Sequence, residues 1–298
     1  MLSYFFRKFF KRRLRLTLFL NTWNYTVIAR KGDEFSDALL KKASDSGRNF
    51  QLTFTRVGDT FVFEDFKKLL KKDFEKYSFI TDNLKFLDDL ADYLGEVRLP
   101  DTVLVELGWM KEYYAYTYHH VIAVTALVIR MARDLTFSRK EIVEIAELAL
   151  LYDIGITRVP LEIVNKQSEL TDRDRDVIHL HPVYSALLVA HYYQNEHFPR
   201  LDAILRHHES LDGSGEPQGL KNDDLISNMI CVADTFDALI SARPFRKHYS
   251  TKEAFKICEE LMTGGKILPE ILPLIYSYFL FINKATGKVT GNKNYSPT

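Results

Sequence analysis

Apolar and polar positions change their period along this chain. From about residue 14 to 80 the pattern is mixed: "LRLTLFL" alternates as a strand does, and "YTVIAR" and "FQLTFTRV" are rich in β-branched and aromatic residues. Between the last two, "EFSDALLKKASDSG" carries apolar residues at helical spacing and closes on a glycine. The charged stretch "FEDFKKLLKKDFEK" reads as an amphipathic connecting helix. From about residue 100 the period is almost wholly helical. Helices are predicted near 102–136, 139–153, 171–180, 182–195, 199–209, 223–242, 251–263 and 268–283. The expected fold is therefore mainly α, a multi-helix bundle behind a small α/β or α+β N-terminal domain. Its expected divisions are a regulatory or interaction module over 1–80, a helical connection over 81–100, the helical domain over 101–284 and a polar tail over 285–298.

Composition narrows the class. The chain has 298 residues, 46% hydrophobic and 27% charged, as a soluble globular protein does. Forty basic and forty acidic residues cancel, so no global field recruits a nucleic acid polymer. Cys231 and Cys258 both lie in apolar helical stretches, which implies reduced thiols and a cytoplasmic setting. The apolar stretch "ILPEILPLIYSYFLFIN" is interrupted by Glu270 and two prolines, and no segment is expected to span a membrane. The basic aromatic start, "MLSYFFRKFFKRRLRLTLFL", reads as a solvated arm running into a strand, with a membrane-surface segment as the alternative.

The chemistry gathers in the helical part. All nine histidines lie between 119 and 248. In "YTYHHVIAVTALVIRMARDL", His120 shares a stripe with Val124, Leu127 and Met131 and points inward, whereas His119 falls beside Arg130 and Arg133. Asp153 ends the apolar run "EIAELALLYD", where a carboxylate is costly unless a cation or an arginine such as Arg158 meets it. His181 precedes Pro182 at the mouth of a new helix, and His179 is expected at the surface. His207 and His208 close a helix before a glycine-rich loop. Asp234 and Asp237 stand one turn apart in an apolar helix, a pair that repels unless a cation or a proton lies between them. His120, Asp153, His181, His207, His208 and Asp234 thus form a set of nitrogen and oxygen donors suited to iron, manganese, zinc or nickel, drawn from several helices of one bundle.

Four stretches in order, "LLYDIGITRVPLEIVNK", "HPVYSALL", "HHESLDGSGEPQGL" and "ICVADTFDALISARPFRKHYS", resemble the HD-GYP domain, a bacterial branch of the HD metal-dependent phosphohydrolases. The resemblance covers about residues 116–262, and "YTVIARKGDEFSDALLKKASDSGRNFQLTF" also looks like the small module often joined to such domains. It implies an HD-type bundle that hydrolyses cyclic di-GMP, or a related nucleotide phosphodiester, with two divalent metal ions, iron first among the candidates. His120, Asp153, His181, His207, His208 and Asp234 would be the ligands, with Asp153 shared between metals, and Arg243 and Arg246 would hold substrate phosphate. A protein partner is conceivable through the N-terminal module.

The departures from that pattern carry chemistry too. Tyr152 stands where the family has the His of its HD pair, so it is either an atypical ligand or a packing residue. Ile156 replaces a lysine and Ser210 an arginine. Tyr116 replaces a glutamate that serves a third metal. The GYP loop reads Gly215, Glu216, Pro217, which turns an anion toward an anionic substrate. Altered or reduced activity is therefore expected. The alternative is a catalytically degenerate protein that binds metal and nucleotide and signals through protein contacts.

Overall fold

The structure is a computed structural model that describes residues 15–16, 20–22, 26–72, 77, 84–241 and 249–285. The predicted basic arm, most of the first strand and the polar tail beyond residue 285 lie outside them.

The N-terminal part follows the mixed pattern. Strand β1 (Leu20–Asn21) pairs antiparallel with β2 (Val27–Ala29), and Leu20 sits opposite Ala29. Helix α1 (Asp37–Gly47) starts where Ser36 accepts from the Leu39 N–H, as a polar N-cap does. Strand β3 (Phe54–Arg56) leads through a short 3₁₀ turn into the charged amphipathic helix α2 (Phe61–Lys72). Helix α3 (Leu84–Glu96) then runs to β4 (Arg98–Pro100), which pairs antiparallel with β3 at Thr55 opposite Leu99. This return strand is not evident in the sequence, because three residues of "RLP" show no period.

The bundle proper begins with α4 (Asp101–Tyr113) and α5 (Ala115–Asp134). One helix over 102–136 is predicted, and the structure breaks it at Tyr114. Neither proline nor glycine causes the break. The Tyr114 hydroxyl donates to the carbonyls of Val159 (2.9 Å) and Thr157 (3.2 Å), so a tertiary hydrogen bond overrides the local preference. Helix α6 (Arg139–Leu151) starts with a capping box formed by Ser138 and Glu141. A 3₁₀ turn over Ile154–Arg158, the single turn α7 (Leu161–Val164) and α8 (Asp172–Ile178) follow.

Helix α9 (His181–Tyr192) is buried at every position, which marks it as the central element. Its C-terminal end receives α1: Ser46 Oγ lies 2.8 Å from His191 Nδ1, and Gln194 Nε2 donates to the Phe50 carbonyl (2.9 Å). Helices α10 (Leu201–Arg206), α11 (Leu225–Ile240), α12 (Thr251–Thr263) and α13 (Leu272–Ala285) complete the bundle. A single apolar core runs from Leu20 of the small sheet through α5 and α9 to Tyr278. No helix among the described residues is long and apolar enough to cross a membrane.

Candidate metal centre

Helix ends bring the donors together. His181 opens α9, His207 and His208 follow the last turn of α10, Asp153 follows α6, and His120 and Asp234 lie inside α5 and α11. His120, Asp153, His181 and His207 are all buried. Among the described residues, His181, His207 and His208 form a group whose ligand atoms all lie within 4.8 Å of one another.

The tautomers at this group follow from its hydrogen bonds. His181 Nδ1 lies 2.6 Å from the Ile178 carbonyl, and His207 Nδ1 lies 2.7 Å from the Ile204 carbonyl. A carbonyl only accepts, so both Nδ1 atoms carry hydrogen and both Nε2 atoms are lone pairs in the neutral ring. Those two Nε2 atoms face each other at 3.1 Å, and Asp153 Oδ1 lies 3.1 Å from His181 Nε2. Burial, then the neighbouring His208, lowers the His181 pKa to about 3. Burial, then His208 and His181, holds His207 well below the ordinary histidine value. Two imidazole lone pairs therefore face each other beside a carboxyl oxygen, as donors for a cation do. The three histidines fit a divalent transition metal, with Asp153 beside His181. Asp153 has no part in an ion pair with Arg158, which instead grips Glu106 through two bonds of 2.8 and 2.6 Å.

The second half of the cluster is built differently. His120 stands between the two carboxylates of α11, its Nε2 2.8 Å from Asp234 Oδ1 and its Nδ1 2.6 Å from Asp237 Oδ2. Burial disfavours its charge, but the bonds to Asp234 and Asp237 outweigh burial and hold its pKa well above the usual value. His120 thus stands between the paired aspartates. Asp237 also accepts from the hydroxyls of Tyr77 and Ser241. Tyr152 is wholly buried and donates to Asp234 Oδ1 at 3.0 Å, with its ring edge-on to His207. Burial, then the charges of Asp234 and Asp153, pushes its phenol well above 10, so it is a neutral donor. Tyr116 stacks on His120 at 6.0 Å between ring centroids.

The surroundings explain how these ends are held. Gly155 N donates to Ser185 Oγ at 2.8 Å, and a Cβ on Gly155 would lie 2.3 Å from His181 O and Ser185 N. Only a glycine lets the turn after Asp153 seat against the start of α9. Buried Glu106 binds Arg158, Thr157 and Tyr192 together, tying that turn to α4 and to the far end of α9. In the predicted GYP loop, Gly215 packs where a Cβ would lie 2.4 Å from Ser210 N, and Glu216 N donates to the His208 carbonyl at 3.0 Å. Pro217 follows through a cis peptide. Buried Glu209 accepts from Gln218 N (2.7 Å) and Leu220 N (2.9 Å) and anchors the same loop. Arg243 and Arg246 lie outside the described residues. Sequence reasoning missed Tyr77 and the roles of Asp237, Glu106 and Glu209. For Asp237, its i, i+3 spacing from Asp234 in an apolar helix is the signal that could have found it.

A sequence profile described as an HD domain matches residues 94–267, more than half the chain. The chain belongs to the HD domain family. Cyclic di-GMP phosphodiesterase PA4108 of Pseudomonas aeruginosa is 36% identical over 172 residues, which cover 56% of this HD domain protein and 41% of that one. A cyclic di-GMP phosphodiesterase of Thermotoga maritima is 32% identical over 229 residues, covering 74% and 60%. The HD domain protein thus spans less than two thirds of either relative. Among solved structures, Bd1817, a HDG"Y"P protein from Bdellovibrio bacteriovorus, aligns over 93% of this chain and 96% of that one, at 17% identity and a TM-score of 0.44. The resemblance to HD-GYP phosphodiesterases read from the motifs is matched by these relatives.

Proposed function

We propose that this HD domain protein is a metal-dependent phosphodiesterase that opens a cyclic dinucleotide, with cyclic di-GMP as the first substrate to test. The observation that carries the reading is the pair of facing Nε2 lone pairs of His181 and His207 beside Asp153. A divalent cation bound there supplies Lewis acidity and neutralises phosphoryl charge. Iron is the first candidate, with manganese, zinc and nickel behind it. The chain's own groups do the holding. The Ile178 and Ile204 carbonyls aim His181 and His207. Arg243 and Arg246 would grip the substrate phosphates. Glu216 places an anion on the loop beside His208, which lowers affinity for an anionic substrate and favours reduced turnover.

Incubation with cyclic di-GMP and Mn²⁺ or Fe²⁺, followed by chromatography, should show the linear dinucleotide. Asp153→Ala should lose both metal and product, and product formation that survives it refutes the assignment. A second reading, a protein that binds metal and nucleotide and signals by contact, is favoured by Tyr152 acting as a donor in the place of a histidine ligand. It predicts no product but saturable nucleotide binding that Arg243→Ala removes.

A further inference from the structure

The two halves of the cluster differ in what they need. On one side, His181 Nε2 lies 3.1 Å from His207 Nε2 and 3.1 Å from Asp153 Oδ1. At Asp234 the carboxylate already has donors. Its Oδ1 accepts from the Tyr152 hydroxyl at 3.0 Å and lies 2.8 Å from His120 Nε2. The other nitrogen of that ring engages Asp237, which Tyr77 and Ser241 also hold. A cation on this half would have to displace the hydrogen bond from Tyr152 to Asp234.

Tyr152 decides the difference. Its ring is wholly enclosed, packed edge-on against His207 with centroids 4.9 Å apart, and its hydroxyl is directed to Asp234. A histidine at this position would offer a neutral lone pair. The phenol instead places a donor there, its oxygen 3.0 Å from Asp234 Oδ1. We propose that this protein holds a single divalent cation, on Asp153, His181, His207 and His208, and that Tyr152 is a positioning residue whose hydrogen bond to Asp234 closes the place of a second ion.

This rests on the metal reading above, and the test separates the two. The purified full chain is saturated with Mn²⁺ or Zn²⁺, freed of excess ion, and its metal content measured by mass spectrometry. The wild type should hold about one equivalent, Tyr152→Phe about one, and Tyr152→His about two, since an imidazole restores a neutral ligand. About two equivalents in the wild type overturn the single-ion proposal and leave the metal site standing, whereas none overturns the site itself. One equivalent in both the wild type and Tyr152→His overturns the role given to Tyr152. Should Tyr152→His not fold, two other variants decide: His120→Ala should keep the wild-type content, and His207→Ala should lose it. Loss in His120→Ala overturns the placement of the ion. Loading with Fe³⁺ gives an independent readout: a phenolate-to-iron absorption band that vanishes in Tyr152→Phe would show Tyr152 to be a ligand and overturn its role as donor.

Discussion

Replacing Gly155 by alanine tests how tightly the metal centre is braced. The added methyl would stand 2.3 Å from two backbone atoms, His181 O and Ser185 N, and 2.8 Å from Ser185 Oγ. Neither backbone atom can rotate away, because both belong to the first turn of the fully buried α9. The turn after Asp153 and the start of α9 must therefore separate. Overpacking of this kind costs about 1–3 kcal/mol. Stretching the buried bond from Gly155 N to Ser185 Oγ, 2.8 Å in the native form, adds about 1 kcal/mol. At about 2–4 °C per kcal/mol for a domain approaching this size, the melting point should fall by roughly 4–16 °C. Because the same movement carries His181 away from Asp153, the rise in melting point on adding Zn²⁺ should also shrink. Thermal melts of wild type and variant, with chelator and with Zn²⁺, measure both effects. A variant that melts within about 2 °C of wild type, with an undiminished metal shift, would refute the claimed contact.

Other outcomes follow from the same geometry. Tyr114→Phe removes the hydroxyl bonded to Val159 O and should cost about 1 kcal/mol in urea denaturation; no loss would mean that this bond does not hold the break between α4 and α5. Glu209→Ala leaves the amides of Gln218 and Leu220 without their acceptor, and their hydrogen exchange should accelerate while that of α9 stays slow. His191 is buried beside α1, and burial lowers its pKa from 6.5 to about 4. The folded chain keeps it neutral while the unfolded chain takes up a proton below about 6.5, so acid favours unfolding across this window. In chelator, His191→Gln should flatten the fall in stability from pH 6.5 to 4 by up to about 1.4 kcal/mol per pH unit, and superimposable profiles would refute the assignment.

Much of this architecture was legible because helical periodicity is strong and buried charge is rare. The inward face of His120 followed from its stripe with Val124, Leu127 and Met131, and the structure buries it while leaving His119 exposed. What stands between Asp234 and Asp237 is His120 of α5, more than a hundred positions away, and no local pattern reports such a pairing. The break at Tyr114 and the grip of Glu106 on Arg158 escaped for the same reason, since each is a contact between segments distant in the chain. Tyr152 marks the limit most sharply. Its place in the motif was visible, whereas its hydrogen bond to Asp234, 82 residues on, decides whether it donates or ligates.

Helix α9 belongs to two neighbourhoods at once, one end at the metal ligands and the other under α1, and β4 pairs with β3 from the first part of the chain. The matched family segment, 94–267, therefore leans on residues that precede it. Cut out alone, it would lose the partner strand of β4 and bare the buried end of α9 to water. For laboratory work the practical boundary lies upstream of β2, and a shortened chain that binds no metal would report the missing N-terminal scaffold before it reported anything about the ligands.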